Sequence, residues 1–391
     1  MATPIPVSPA RARRRGDQIS VAMVTPRFHP AVGGVETHVQ EVATRLAARG
    51  FQVTVVTADS SRGLPARAEI DGLHVMRFPA SSRLGDLTWA PGIRRAVAGG
   101  GWDLVHIQCV HTLVPVLAMS GARRAGLPCV VTFHTGGHTS GLRSALRPLQ
   151  WRLQRPLLAE AAALVAVSEF EAGLFQKALG LGPERFSVIP NGFDLPAASL
   201  DGHRGAAGPG QGRPLIISIG RLERYKGHHR AIAALPAVLR VHPEAELRIV
   251  GTGPYQQRLR QTADAVGVAS HVRFVSFPPE RRAELGRLVA SADLVTLLSE
   301  YEANPVAVME AVGLGRRVLV ASTSGLRELA QRGLADEVPL KAPDWKIGEV
   351  MAGLLCRPEP ATAPQLPSWD ECADRLAAVY REVLHREGRP R

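Results

Sequence analysis

The chain has 391 residues, 45% of them hydrophobic and 21% charged, which suits two α/β domains and excludes global disorder. The formal net charge of +12 favours anionic partners, but aromatics make up only 5% and are not interleaved with Arg or Lys, so no nucleic acid is expected. No apolar run approaches the ~20 residues of a membrane helix, and Cys109, Cys129, Cys356 and Cys372 have neither metal-ligand nor disulfide spacing, as suits reduced thiols in a cytoplasmic protein.

Residues 1–16 carry Arg11, Arg13, Arg14 and Arg15 and read as a disordered basic tail, because the VAMVT that follows is too short for a signal peptide. From residue 18 strand-like runs alternate with helical patterns, the signature of a parallel doubly wound sheet. The strands expected in a first domain, 17–198, are SVAMVT, QVTVVT, LHVMRF, DLVHIQ, CVVTFH, LVAVS and FSVIP. Between the first two, Val35, Val39, Val42 and Leu46 recur at helical spacing and Gly50 ends the helix. In GLRSALRPLQWRLQRPLLAE, Arg143, Arg147, Arg152 and Arg155 mingle with Leu142, Leu146, Trp151 and Leu153, and Pro148 and Pro156 are expected to break the helix. That segment suits either a solvated helix over the core or peripheral contact with an anionic membrane at its inner face. Residues 199–213 concentrate glycine without apolar period and read as a flexible linker. The pattern restarts over 214–368 with PLIISIG, AELRIVG, VRFVSF, ADLVTLLS and RRVLVAS, a second sheet of the same kind. A helix from Trp369 to about Glu387, within 369–391, is expected to cross back to the first domain.

Ligands of doubly wound sheets bind where strands end. After the first strand, TPRFHPAVGGVE brings Gly33 and Gly34 directly into a helix, where backbone N–H groups and the helix N-terminus favour phosphate; a tight turn alone would explain the pair equally well. G-x-G-x-x-G is absent, and GTGPYQ at Gly251 has two of its three glycines, so a nicotinamide enzyme is disfavoured. PLIISIG runs into RLERYKGHH, placing Arg221 and Lys226 in one loop before a helix near His228. Fixed cations there would stabilise a departing diphosphate without a metal, and no Asp-x-Asp pair occurs in the chain. The bland reading is a solvated basic turn. After ADLVTLLS, Glu302 falls in a loop and Glu310 in a helix that Asn304 is expected to cap with Pro305 as its first residue. Carboxylates accept well from the vicinal hydroxyls of ribose or hexose, although two glutamates at this spacing are common on surfaces.

GGVETHVQEVATRLAARG, SVIPNGFD, SIGRLERYKG, LRIVGTGP and the Glu302-to-Glu310 spacing, in this order, resemble glycosyltransferase family four, over about residues 18–335. The resemblance implies a GT-B fold, two Rossmann-like doubly wound parallel-sheet domains facing a cleft. It also implies a retaining, metal-independent hexosyl transfer from a UDP- or GDP-linked sugar to an acceptor hydroxyl on a small molecule, lipid or glycan, with no cofactor. By it Gly33 and Gly34 contact donor phosphate, Arg221 and Lys226 the diphosphate, Glu310 the ribose and Glu302 the transferred sugar. Asn304 joins the donor site, and His134 lies near the reacting carbon. Ala303 and Asn304 stand where the family often has other small or aromatic residues. FVSFPP lacks a glycine often seen near the base, and Ser324–Gly325 replaces a more usual double glycine. A sugar-nucleotide epimerase or phosphorylase of the same architecture, and a non-catalytic anion-binding module, share many of these features.

Overall fold

The computed structural model describes residues 18–31, 33–61, 63–81, 88–135, 141–193, 213–278, 281–358, 364 and 366–388. The expected tail at 1–16 and nearly all of the expected linker at 199–213 lie outside them. The chain forms two compact units: Met1–Thr135 with Ala145–Asn191 and Ser368–Arg391, and Gly136–Ser144 with Gly192–Pro367. The second unit therefore begins ahead of the glycine-rich stretch. Phe193 donates its amide to Pro367 O at 2.8 Å, and its ring fills the space beside Gly313.

The first unit runs β1 (Ser20–Thr25), α1 (Gly34–Ala48), β2 (Gln52–Asp59), β3 (Arg67–Ile70), β4 (Leu73–Pro79), α2 (Pro91–Gly99), β5 (Leu104–Gln108), α3 (Leu113–Arg124), β6 (Cys129–Thr132), α4 (Gly141–Ala159), β7 (Ala163–Ala166), α5 (Glu169–Leu179) and β8 (Phe186–Val188). Its sheet has the order β3-β4-β2-β1-β5-β6-β7-β8, parallel except where β3 pairs antiparallel with β4. The central strands are apolar and buried because helices cover both faces; β1 is buried at all six positions. Its register sets Met23 opposite Val55 on one side and His106 on the other, which carries a histidine into the interior.

The second unit runs β9 (Leu215–Ile219), α6 (His228–Leu239), β10 (Glu246–Val250), α7 (Gln256–Ala265), β11 (Val272–Val275), α8 (Arg282–Ala290), β12 (Leu294–Leu297), α9 (Val306–Gly313), β13 (Val318–Ser322), α10 (Ser324–Gln331), β14 (Asp336–Pro339) and α11 (Asp344–Leu355). Its sheet is parallel throughout, in the order β11-β10-β9-β12-β13-β14, with an apolar core on each face. The last helix, α12 (Trp369–Arg386), belongs to the first unit and packs on α1, burying Trp369, Leu376 and Tyr380. Arg49 adds an ion pair to each of Asp370 and Asp374 along that seam.

Two sequence expectations need correction. Helix α4 continues through Pro148 and Pro156. Each proline forfeits one amide bond, but both rings are exposed while Trp151 and Leu158 are buried, Trp151 against Phe175 at 4.9 Å, and this packing holds the helix. Asn304 does not cap α9: Pro305 is the N-cap, with ψ 117°, and Val306 the first helical residue. Pro305 is itself extended and not helical, so the helix starts one residue further along the chain. Strands β3 and β14, RAEI and DEVP, escaped sequence reading because neither carries an apolar run.

Candidate active site

In the second sheet the strand order reverses between β9 and β12, and that switch point is where an α/β sheet opens a crevice at its strand ends. The loops leaving these two strands carry Arg221 and Lys226 on one side and Glu302 on the other. The structure brings the last two into contact: Lys226 Nζ lies 2.6 Å from Glu302 Oε1, with side chains 16% and 9% exposed. Ser299 Oγ donates to the same carboxylate oxygen at 2.8 Å. Burial disfavours the lysine's charge, but the Glu302 carboxylate outweighs it and holds the ammonium above the usual lysine range.

Backbone geometry fixes this pair. Glu302 donates its amide to Ser324 Oγ at 2.9 Å, and its carbonyl accepts from Gly325 N at 2.9 Å. A Cβ on Gly325 would sit 1.8 Å from Ala303 O, so only glycine fits. Ser324 itself has φ +46°, a conformation that favours glycine and explains why a glycine pair would serve here. On the other loop, Gly227 has φ +76°, and a Cβ there would meet Leu298 O at 2.0 Å. His228 pins the loop from below: its Nε2 donates to Arg221 O at 3.2 Å and its Nδ1 accepts from Ser218 Oγ at 2.8 Å. Burial lowers its pKa to about 4, so it is neutral. Arg221 is 45% exposed, donates to Tyr225 Oη at 2.9 Å and pairs with Glu223 at 3.1 Å. Glu310, buried on α9, is ion-paired with Arg282 of α8. Asn304 is buried in the loop between Glu302 and α9.

Gly33, Gly34 and His134 lie in the first unit, whose sheet reverses between β1 and β5. Gly33 is extended and precedes α1. A Cβ on Gly34 would meet no atom within 4 Å, so packing does not demand glycine there. The buried Glu36 carboxylate, paired with Arg27 at 3.3 Å, occupies the first turn of α1 beside Gly33. His134 follows β6 with φ +50° and is buried. Its Nε2 donates to Gln108 Oε1 at 2.7 Å, which leaves Nδ1 as the acceptor. His38 stands edge-on to it at 4.4 Å and donates from Nδ1 to Asn191 Oδ1 at 2.9 Å. Behind Gln108, His106 contacts Thr132 Oγ1 at 2.7 Å and Tyr380 Oη at 2.5 Å.

Burial lowers His38 to about 4 and His106 to about 3, and pushes His134 well below the usual histidine value. With His228, four imidazoles are neutral in the fold yet titrate near 6.5 once unfolded. The unfolded chain thus binds more protons below that pH, so stability is full above about pH 6.5 and falls toward pH 4. Each imidazole contributes on the order of 1 kcal/mol per pH unit. Glu171, whose carboxyl burial raises, works in the opposite direction, one group against these four and His229, which burial also lowers. Urea midpoints at pH 7.5 and pH 5 check this; equal midpoints would contradict it.

Sequence reading missed Arg282, Ser299, Tyr225, His38, His106 and Gln108. Ser299 ends the ADLVTLLS run and His38 lies four residues past Gly34, positions that strand-end reasoning could have reached. Nothing local in PPERRAELG points Arg282 toward Glu310.

The first unit's sheet and the second's have counterparts in solved enzymes. The fold matches sucrose-phosphate synthase from Thermosynechococcus elongatus with a TM-score of 0.72, at 18% identity over 94% of this chain and 100% of that one. It matches Anabaena HepE in complex with UDP and glucose at 0.69, with 20% identity over 93% and 100%. Two doubly wound parallel-sheet units of this kind make up the GT-B fold. The family model for Glycosyltransferase Family 4 matches residues 32–196, and that for Glycosyl transferases group 1 matches 202–339. The D-inositol 3-phosphate glycosyltransferase of Segniliparus rotundus is 28% identical over 386 residues, 90% of this chain and 85% of its own. The phosphatidyl-myo-inositol mannosyltransferase of Mycobacterium tuberculosis is 28% identical over 346 residues, 86% of each. The chain belongs to glycosyltransferase family four and is a glycosyltransferase.

Proposed function

We propose that the protein is a retaining, metal-independent hexosyltransferase that takes its sugar from a UDP-linked or GDP-linked donor and passes it to an acceptor hydroxyl. The observation that carries this reading is the Lys226–Glu302 pair at the switch point of the second sheet. Transfer breaks the bond from the anomeric carbon to the diphosphate, which leaves with the electron pair, and forms one to the acceptor oxygen, which gives up its proton. Lys226 and Arg221 face the charge that develops on the leaving diphosphate, and fixed cations in a site shielded from water are effective there. Glu302, held by Lys226 and Ser299, accepts from the sugar's hydroxyls; Glu310 accepts from the ribose. In the first unit Gly33 and Gly34 approach the donor phosphate, and His134, neutral and with its Nδ1 unprotonated, lines the reacting carbon. Retention rests on membership of family four.

The acceptor is a small molecule, lipid or glycan. On α4, Leu149 and Leu153 stand 54% and 72% exposed beside the exposed Arg152, a surface suited to peripheral contact with an anionic membrane. No helix among the described residues is long and apolar enough to cross a membrane.

The test is turnover of UDP-glucose and GDP-mannose in excess EDTA, followed by nucleoside diphosphate release and by the anomeric configuration of the product. Turnover is expected to persist and the product to keep the donor's configuration. Activity lost with EDTA and regained with magnesium or manganese, or an inverted product, would sink the corresponding part of the reading.

A further inference from the structure

Glu171 is fully buried on α5, and the role proposed above for His134 does not use it. Its sequence context, Ser168-x-x-Glu171, is that of a capping box, in which the glutamate returns to the amide of the capping residue. Ser168 does accept from Glu171 N at 3.2 Å, but the carboxylate is aimed elsewhere. Oε1 accepts from the amide of Thr135 at 2.6 Å and from its hydroxyl at 2.5 Å, while Oε2 accepts from Val167 N at 2.9 Å. Among the described residues no lysine, arginine or histidine pairs with it. A buried carboxylate without a cation is costly unless hydrogen bonds satisfy it, so these donors hold the group and the group holds them in return.

What they hold is the backbone of His134–Thr135. His134 has φ +50°, a left-handed conformation that a non-glycine residue adopts only when its surroundings enforce it. Glu171 grips the next residue at two points and ties it to Val167, at the end of the neighbouring strand β7. The carboxylate's own position is set independently, because Phe175, one turn further along α5, stacks on Phe133 at 3.7 Å.

We propose that Glu171 is a positioning residue that fixes His134 for sugar transfer by clamping the Thr135 amide and hydroxyl. This rests on the role given to His134 above. Gln108 holds the imidazole from its side-chain end, and Glu171 holds it from the backbone. A displacement of about 1 Å at a reacting group can cost ~10²-fold in rate.

The full chain carrying Glu171→Gln tests this, since an amide keeps the shape but sets an N–H₂ against one of the donors. Nucleoside diphosphate release from UDP-glucose is expected to fall about 10- to 100-fold in kcat, with KM within about threefold. In a His134→Ala background the same change should cost nothing further. Without substrate, spectra of ¹⁵N-histidine-labelled protein should show the His134 ring nitrogens shifted or broadened while those of His228, in the second unit, stay in place. Thr135→Val should reproduce part of both effects and Thr135→Ser restore them, which keeps the test open if Glu171→Gln does not fold. An unchanged His134 spectrum in Glu171→Gln, or an equal loss in the His134→Ala background, would overturn the proposal. A wild type inert toward UDP-glucose would instead fault the donor reading, and the spectra would still decide the positioning.

Discussion

Lys226→Ala is expected to lower turnover by on the order of 10²-fold or more, because it removes a cation placed where the departing diphosphate gathers charge. The structure adds a second consequence. Glu302, only 9% exposed, would lose its partner at 2.6 Å and keep just the Ser299 hydroxyl and its backbone contacts. Removing one member of a buried pair strands the other, at up to about 3 kcal/mol here. Turnover and stability must therefore be read together. In the double variant Lys226→Ala with Glu302→Gln the stranded charge is gone, so the denaturation midpoint should recover while turnover stays low. A single variant within about threefold of the parent would mean that Lys226 serves only to hold Glu302.

Glu310→Gln and Glu302→Gln are expected to separate by ligand. Glu310 lies on α9 against Arg282, whereas Glu302 stands in the loop before that helix against Lys226. A charge-assisted hydrogen bond lost from a buried site costs roughly 1.5–3 kcal/mol, about ten- to a hundredfold in affinity. Glu310→Gln should weaken UDP and UDP-glucose alike by that amount, because both carry the ribose. Glu302→Gln should weaken UDP-glucose and leave UDP within about threefold, since the bare diphosphate offers it no sugar. Calorimetry with both ligands on both variants reads the result. Equal loss of UDP in the two variants would reverse or merge the assigned roles.

The architecture was legible because a parallel sheet buried on both faces writes itself as short apolar runs, and twelve of the fourteen strands are such runs. The two missed strands, β3 and β14, lie at sheet edges, where pairing on one side alone relaxes the demand for apolar residues. Loop chemistry was legible in part. Lys226 and Glu302 lie 76 residues apart, and only the return of β12 beside β9 makes them neighbours. The same holds for Arg282 with Glu310 and for Glu171 with Thr135, contacts that no local period encodes. The prolines of α4 misled because local backbone preference yields to tertiary packing, here the burial of Trp151 and Leu158. Asn304 misled for a smaller reason: Pro305, expected to open the helix, is itself extended at ψ 117° and takes the cap position in place of Asn304.

Thermal unfolding of the purified chain with a panel of UDP-, GDP-, ADP- and dTDP-linked sugars is the most direct test of the central claim. A true donor at 100 times its dissociation constant should stabilise the protein by about 2.7 kcal/mol, and Glu310→Gln, with its ten- to hundredfold weaker binding, should cut that at the same concentration to about 1.4 to 0.4 kcal/mol. No shift with any sugar nucleotide, or one that Glu310→Gln and Lys226→Ala leave intact, would contradict the account.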